Sequence, residues 1–141
     1  MKRLPIGIED FKELIDKDCY YVDKTSFITD IINEKVALYT RPRRFGKTLN
    51  MSMLYYFFSM KQKDNAYLFN DMDIVNHTDS LQYQNQYPVI FITLKDMKKH
   101  TFENQKAMFA ILIQDIVRKN QELLESEELN TFDKEQLIAY Y

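Results

Sequence analysis

The residues best suited to chemistry stand together at 41–48, Arg41-Pro42-Arg43-Arg44-Phe45-Gly46-Lys47-Thr48. Gly46-Lys47-Thr48 is the second half of a phosphate-binding loop. Without a side chain, Gly46 lets backbone approach an anionic oxygen and adopt angles closed to other residues. Lys47 would bring its ammonium to the β- and γ-phosphates, and the Thr48 hydroxyl would ligate Mg²⁺. The amides around Lys47, Thr48 and Leu49 would open the following helix, where free N–H groups and the helix dipole attract phosphate. The candidate nucleotide contacts are therefore Arg41, Arg43, Arg44, Phe45, Gly46, Lys47, Thr48 and Leu49. Lys47 and Thr48 form the catalytic pair, and Thr48 is the Mg²⁺ ligand.

The loop departs from the full pattern, which asks for glycine five residues before Gly46 and finds Arg41. It is basic and stiffened by Pro42 rather than rich in glycine. Three arginines beside a phosphate cradle suit a clamp on a triphosphate or on transition-state charge. The same cations with Lys47 and nearby aromatics also suit the phosphates of DNA or RNA, which is the rival reading.

Such a loop needs a strand before it and a helix after it. Val36–Tyr39 has strand composition, and Leu49 to Phe58 is helical, with Leu49, Met53, Tyr56 and Phe57 on one stripe. Pro88 to Leu94, PVIFITL, reads as a second strand, and its unbroken apolar run suggests burial on both faces, as in a parallel sheet. Asp96 follows it, where a Mg²⁺-positioning carboxylate of Walker B type would stand. Phe102 to Glu125 holds a 3.6-residue apolar period through Phe109, Leu112, Ile113, Ile116, Val117 and Leu124, predicting a surface helix over that sheet. Another helical pattern begins in SEELNTFDKEQLIAYY. The expected fold is α/β, an incomplete P-loop NTPase of RecA/AAA-like type with parallel strands covered by helices, in one domain over 1–141. Two strands fall short of a usual sheet, so the expectation is the N-terminal part of a longer protein.

The remaining segments read structurally. Pro5 and Gly7 predict an ordered turn, and Ile8 to Lys17 a helix with Asp10 in or near its first turn. In YYVDKT, 20–25, Asp23 or Thr25 would cap a helix over Ser26–Asn33, with the tyrosine pair packed inward. This segment also enters just before the first strand, which would bring it near a nucleotide. Residues 61–87 look polar and irregular. Asp71, Asp73 and His77 make a metal set only on paper, and His100 stands alone.

Bulk properties narrow the classes. A chain of 141 residues, 45% hydrophobic, can bury one sizeable core. Its net charge of −2 makes any anion site local rather than global. The single cysteine, Cys19, excludes an intramolecular disulfide and reads as buried filler. With no signal pattern and no apolar run of spanning length, a cytoplasmic protein without membrane contact is expected.

RLPIGIEDF near the start, YYVDKT, TRPRRFGKT at 40–48 and SML…FF at 52–58 together resemble the AAA-ATPase-like family of bacterial and archaeal P-loop proteins. The likeness is specific over about the first sixty residues and looser through PVIFITLKD. That family also carries arginine in place of the first loop glycine. The resemblance implies a RecA/AAA-like fold binding ATP and Mg²⁺ through Gly46, Lys47 and Thr48. It implies that the Walker B strand lies downstream of this chain, so that Asp96 is not its carboxylate. Many members are similar in carrying a C-terminal domain related to PD-(D/E)XK nucleases. The expected activity is ATP binding here, with hydrolysis only in a longer parent, where a protein partner or the C-terminal region supplies the carboxylate. The alternatives are a nucleic-acid phosphate-binding module on loop 41–47 and an inactive fragment.

Overall fold

A computed structural model describes residues 2–42, 44–95, 97, 101–123 and 125–139. The chain divides into two units, one ending at Val89 and one beginning at Ile90. The first holds α1 (Phe11–Asp16), α2 (Phe27–Ile31), α3 (Lys47–Phe58) and α4 (Thr78–Leu81), with 3-10 segments at Met60–Phe69 and Asp73–Asn76. The second holds α5 (Phe102–Lys119), a 3-10 turn at Gln121–Leu123 and α6 (Thr131–Ala139).

The α/β expectation is overturned. The described residues form helices and no sheet; their β pairing is confined to two isolated parallel bridges, Arg3 with Cys19 and Ser59 with Tyr87. Neither expected strand, Val36–Tyr39 nor Pro88–Leu94, forms. A strand exists only through a neighbour that takes its N–H and C=O groups. Here Val36 and Leu38 are 87% and 88% exposed, and Ile90, Ile92 and Leu94 are exposed as well. The helix expected over Phe102–Glu125 ends at Lys119, and it has no sheet to cover. Phe109, Ile111 and Ile113 stay exposed, while Val117 is buried.

The core of the first unit gathers around α3. Phe11, Ile28, Met53, Phe57, Leu68, Phe69 and Ile74 are buried together. Met53 and Phe57 come from the apolar stripe read along α3, and Leu49 and Tyr56 pack at its edge. Phe69 stacks on Phe11 with ring centroids 5.3 Å apart and meets Phe57 edge-on at 5.2 Å. Residues 61–87 are thus not an irregular polar stretch. The 3-10 segments deliver Leu68, Phe69 and Ile74 to the core, and their repeat of three residues per turn does not produce the 3.6-residue period of an α-helix.

Polar side chains fasten α3 at its middle and at its C-terminal end. Asp10 is the N-cap of α1, its Oδ1 accepting from the Glu13 N–H at 2.9 Å. Its Oδ2 accepts from Ser52 Oγ and Tyr56 Oη, each at 3.1 Å, and Ser52 Oγ accepts in turn from the Phe11 N–H at 2.9 Å. At the C-terminal end, Asn85 Nδ2 donates to the Tyr56 and Ser59 carbonyls at 3.0 and 2.8 Å. Those are carbonyls of the helix end, which has no further turn to satisfy them.

Asp23 and Thr25 play a different part from the cap expected of them. Ser26 is the N-cap residue of α2 and makes no side-chain cap. Asp23 Oδ1 accepts from the Thr25 N–H and hydroxyl, while its Oδ2 accepts from the Asp73 N–H at 2.6 Å. Thr25 Oγ1, fully buried, accepts from the Ile74 N–H at 3.1 Å. The pair therefore caps a 3-10 turn about fifty residues downstream, and it fixes the backbone on either side of Lys24. Of the tyrosine pair, Tyr21 packs edge-on against Phe11 and Tyr20 is exposed.

Candidate functional site

The sequence around Gly46 produces an abrupt entry into α3. Gly46 takes φ 72°, ψ 23° as the N-cap residue, and Arg44 also has a positive φ of 68°. Two left-handed residues within three positions curl the backbone tightly, a conformation that costs a non-glycine residue about 1–2 kcal/mol. Gly46 offers no side-chain cap, and the first turn of α3 contains no acidic residue. The positive end of the helix dipole is therefore left without a carboxylate of its own, in the arrangement that favours an anion.

Lys47 folds back over the loop. Its Nζ donates to the Arg41 carbonyl at 2.7 Å and to the Pro42 carbonyl at 2.9 Å. An ammonium has three donors, so one remains after these two bonds. Arg41 lies over the Tyr39 ring, its guanidinium carbon 5.5 Å from the centroid, and Tyr39 Oη accepts from Asn50 of α3 at 3.1 Å. This chain of contacts ties the start of the loop to the helix that ends it.

A cavity of about 760 Å³ opens beside the loop. One wall is Arg44, Gly46, Lys47, Thr48 and Leu49; the other is Pro5 to Glu9, with Leu14. Gly7 turns that second wall with φ 77°. Because Asp10 continues this wall into α1 and bonds Ser52 and Tyr56, the two walls are fastened to each other just behind the cavity. Burial and then the Asp10 carboxylate push the Tyr56 phenol up to about 12, so it stays protonated and donates.

Of the residues singled out by sequence, Arg44, Gly46, Lys47, Thr48 and Leu49 line the cavity. Arg41 contributes its carbonyl to Lys47 and its guanidinium to Tyr39. Phe45 projects from the loop, 61% exposed. Arg43, Asp96 and His100 lie outside the described residues. Asp73 and His77 meet at 3.3 Å on the surface, and among the described residues no three metal-ligating side chains converge. Cys19 is buried, and its Sγ lies 3.9 Å from the Lys17 carbonyl.

Two contributors were hidden in the sequence. The segment Pro5–Glu9 forms a cavity wall, where the sequence announces only an ordered turn. Lys24 also reaches the loop: a Cβ built on Gly46 would stand 3.9 Å from its Nζ. The available signal was the position of YYVDKT just before the loop; its residue types alone pointed to capping.

Comparison with known proteins places the sequence in a family. The sequence model of the family described as "Predicted AAA-ATPase" matches residues 5–139. The chain belongs to the AAA-ATPase-like family. The family's description names a predicted ATPase, which is a statement about the family as a whole. A protein of Azotobacter chroococcum mcd 1, described as "Uncharacterized protein in vnfD 5'region", is similar to this AAA-ATPase-like chain, 35% identical over 94 residues. The match covers 65% of this chain and 17% of that relative. No solved structure matches. Among the described residues, no helix is long and apolar enough to cross a membrane.

Proposed function

We propose that this chain is an ATP-binding module whose loop 41–48 cradles the phosphates of Mg²⁺-ATP. The observation that carries the reading is the position of Lys47: its ammonium is held by two loop carbonyls beside the uncapped N-terminus of α3. Two donors orient the group, and the third serves the phosphates. The amides of Lys47, Thr48 and Leu49 open the helix toward the same anion. Arg44, which lines the cavity, and Arg41 are auxiliary phosphate contacts.

Thr48 lines the cavity and is exposed, so its hydroxyl is available to Mg²⁺. A single hydroxyl, phosphate oxygens and water form a donor set that suits this hard cation. A volume of about 760 Å³ falls in the range of small-molecule sites. The opposite wall, Pro5–Glu9, narrows the site on one side, which favours a mononucleotide over a polymer threading past the loop. Activation of water for turnover asks in addition for a carboxylate, which the loop itself does not supply.

Calorimetry with Mg²⁺-ATP on the wild type and Lys47→Ala tests the reading. Loss of one charge-assisted phosphate contact should weaken binding by tenfold to a hundredfold. A folded wild type that does not bind, or a Lys47→Ala variant that binds equally well, refutes it. Binding of a single-stranded oligonucleotide that falls steeply with salt and ignores ATP would support the nucleic-acid reading instead.

A further inference from the structure

We propose that Lys24 is a second phosphate-binding lysine of this cradle, selecting for the polyphosphate part of the ligand. The inference rests on the ATP-binding reading above and adds to it a residue from outside the loop.

Lys24 lies twenty-two residues before Gly46 in sequence, yet its Nζ stands 3.9 Å from where a Gly46 Cβ would be. Its position is built rather than incidental. Asp23 is held by the Asp73 N–H at 2.6 Å and Thr25 by the Ile74 N–H at 3.1 Å. The Lys24 N–H itself donates to Tyr21 Oη at 3.3 Å, and Tyr21 packs on Phe11 in the core. The backbone is thus anchored before, at and after Lys24, and only the side chain is left to reach out. That side chain is exposed and has no carboxylate partner among the described residues.

The charges around it explain why an anion is wanted. Lys24 approaches Gly46 while Lys47 bends over the same loop and Arg44 lines it. The acidic residue on the cavity is Glu9, which belongs to the opposite wall. Like charges brought to one loop repel, and a polyanion seated among them converts that repulsion into attraction. Lys24 also approaches from the preceding segment rather than from the loop. The two ammoniums therefore reach the phosphates from two separate stretches of backbone, as a pair of jaws would.

The test uses Mg²⁺-ATP and inorganic tripolyphosphate as probes, with the wild type, Lys24→Ala, Lys24→Arg and Lys47→Ala compared by calorimetry. Lys24→Ala should weaken both probes by the same factor, about tenfold for one charge-assisted contact. Lys24→Arg should restore most of the affinity, and the melting temperature of Lys24→Ala should match the wild type. The inference alone is overturned if Lys47→Ala loses ATP while Lys24→Ala keeps it. It is also overturned if Lys24→Ala weakens ATP and spares tripolyphosphate, or loses affinity together with thermal stability. A wild type that binds neither probe removes the ATP-binding reading and this inference with it.

Discussion

Replacing Asp10 should loosen the protein and its cavity together, although Asp10 does not line the cavity. Its carboxylate makes three hydrogen bonds: the α1 cap to the Glu13 N–H at 2.9 Å and the bonds from Ser52 and Tyr56 at 3.1 Å each. Loss of an N-cap costs about 1 kcal/mol. Each hydroxyl bond to a carboxylate contributes about 1–1.5 kcal/mol at a half-buried position, toward the low end for bonds to charge. Asp10→Ala should therefore destabilise by about 3 kcal/mol. Asp10→Asn should cost only about 1 kcal/mol, since asparagine caps as well as aspartate and its amide can donate to the two hydroxyls. Urea unfolding followed by far-ultraviolet circular dichroism reads both values, as shifts in midpoint at unchanged slope. A cycle with Ser52→Ala should return a coupling energy above about 0.5 kcal/mol. Asp10→Ala within 0.5 kcal/mol of wild type (about the scatter of surface substitutions), or Asp10→Asn as damaging as Asp10→Ala, would refute the reasoning. ATP affinity should fall in Asp10→Ala as well, because the Pro5–Glu9 wall is no longer tied to α3.

Two further perturbations test the frame around the site. Asn85→Ala removes the bonds to the Tyr56 and Ser59 carbonyls and places alanine at φ 55°. It should cost about 2–3 kcal/mol in the same urea experiment, with Asn85→Gly milder because glycine accepts that φ. Equal costs for the two variants would show that the side-chain bonds, not the backbone, carry the whole effect. Burial pushes the Tyr21 phenol up to about 12 from its ordinary 10. The folded state then holds its proton where the unfolded state has released it, so stability is complete below pH 10 and declines from pH 10 to 12. That decline, about 2 kcal/mol from this group, should be missing from Tyr21→Phe in a pH series of thermal melts. Equal declines in the two proteins would assign it to other groups.

The sequence was most legible where a local rule decides the structure. The helix after Gly46 and its stripe of Met53 and Phe57 follow from periodicity, as does the short helix near Asp10, although Asp10 is its N-cap and not a first-turn charge. Gly46, Lys47 and Thr48 stand out in the sequence as residue types suited to phosphate, and they line one wall of the cavity. Features that depend on partners remote in sequence were not legible. Val36–Tyr39 and Pro88–Leu94 have the composition of strands, but composition does not supply a neighbouring strand, and both lie exposed. Asp23 and Thr25 looked like caps for the nearest helix and instead cap a turn at 73–74. Pro5–Glu9 became a cavity wall through Asp10, whose bonds to Ser52 and Tyr56 span more than forty residues.

These long-range bonds also hold α3 in place behind the short exposed loop that is proposed as the phosphate site. α3 is held along its length: by Asp10 through Ser52 and Tyr56, by Asn85 at its C-terminal end, and by Asn50 through Tyr39 near its start. Its N-terminal amides therefore point in a fixed direction before any ligand arrives. The loop itself is exposed at Arg41, Pro42, Arg44 and Phe45 and has no burial to fix it. Its order comes from Lys47, whose ammonium gathers the carbonyls of residues 41 and 42. The side chain that would neutralise the phosphates is thus also the one that shapes their cradle. Substitution of Lys47 should remove more than one charge: the loop that Arg41 and Arg44 depend on for position should relax with it. Lys24 is held by a separate set of bonds and would remain in place, so the two lysine variants should differ in loop order even where they weaken the same ligand.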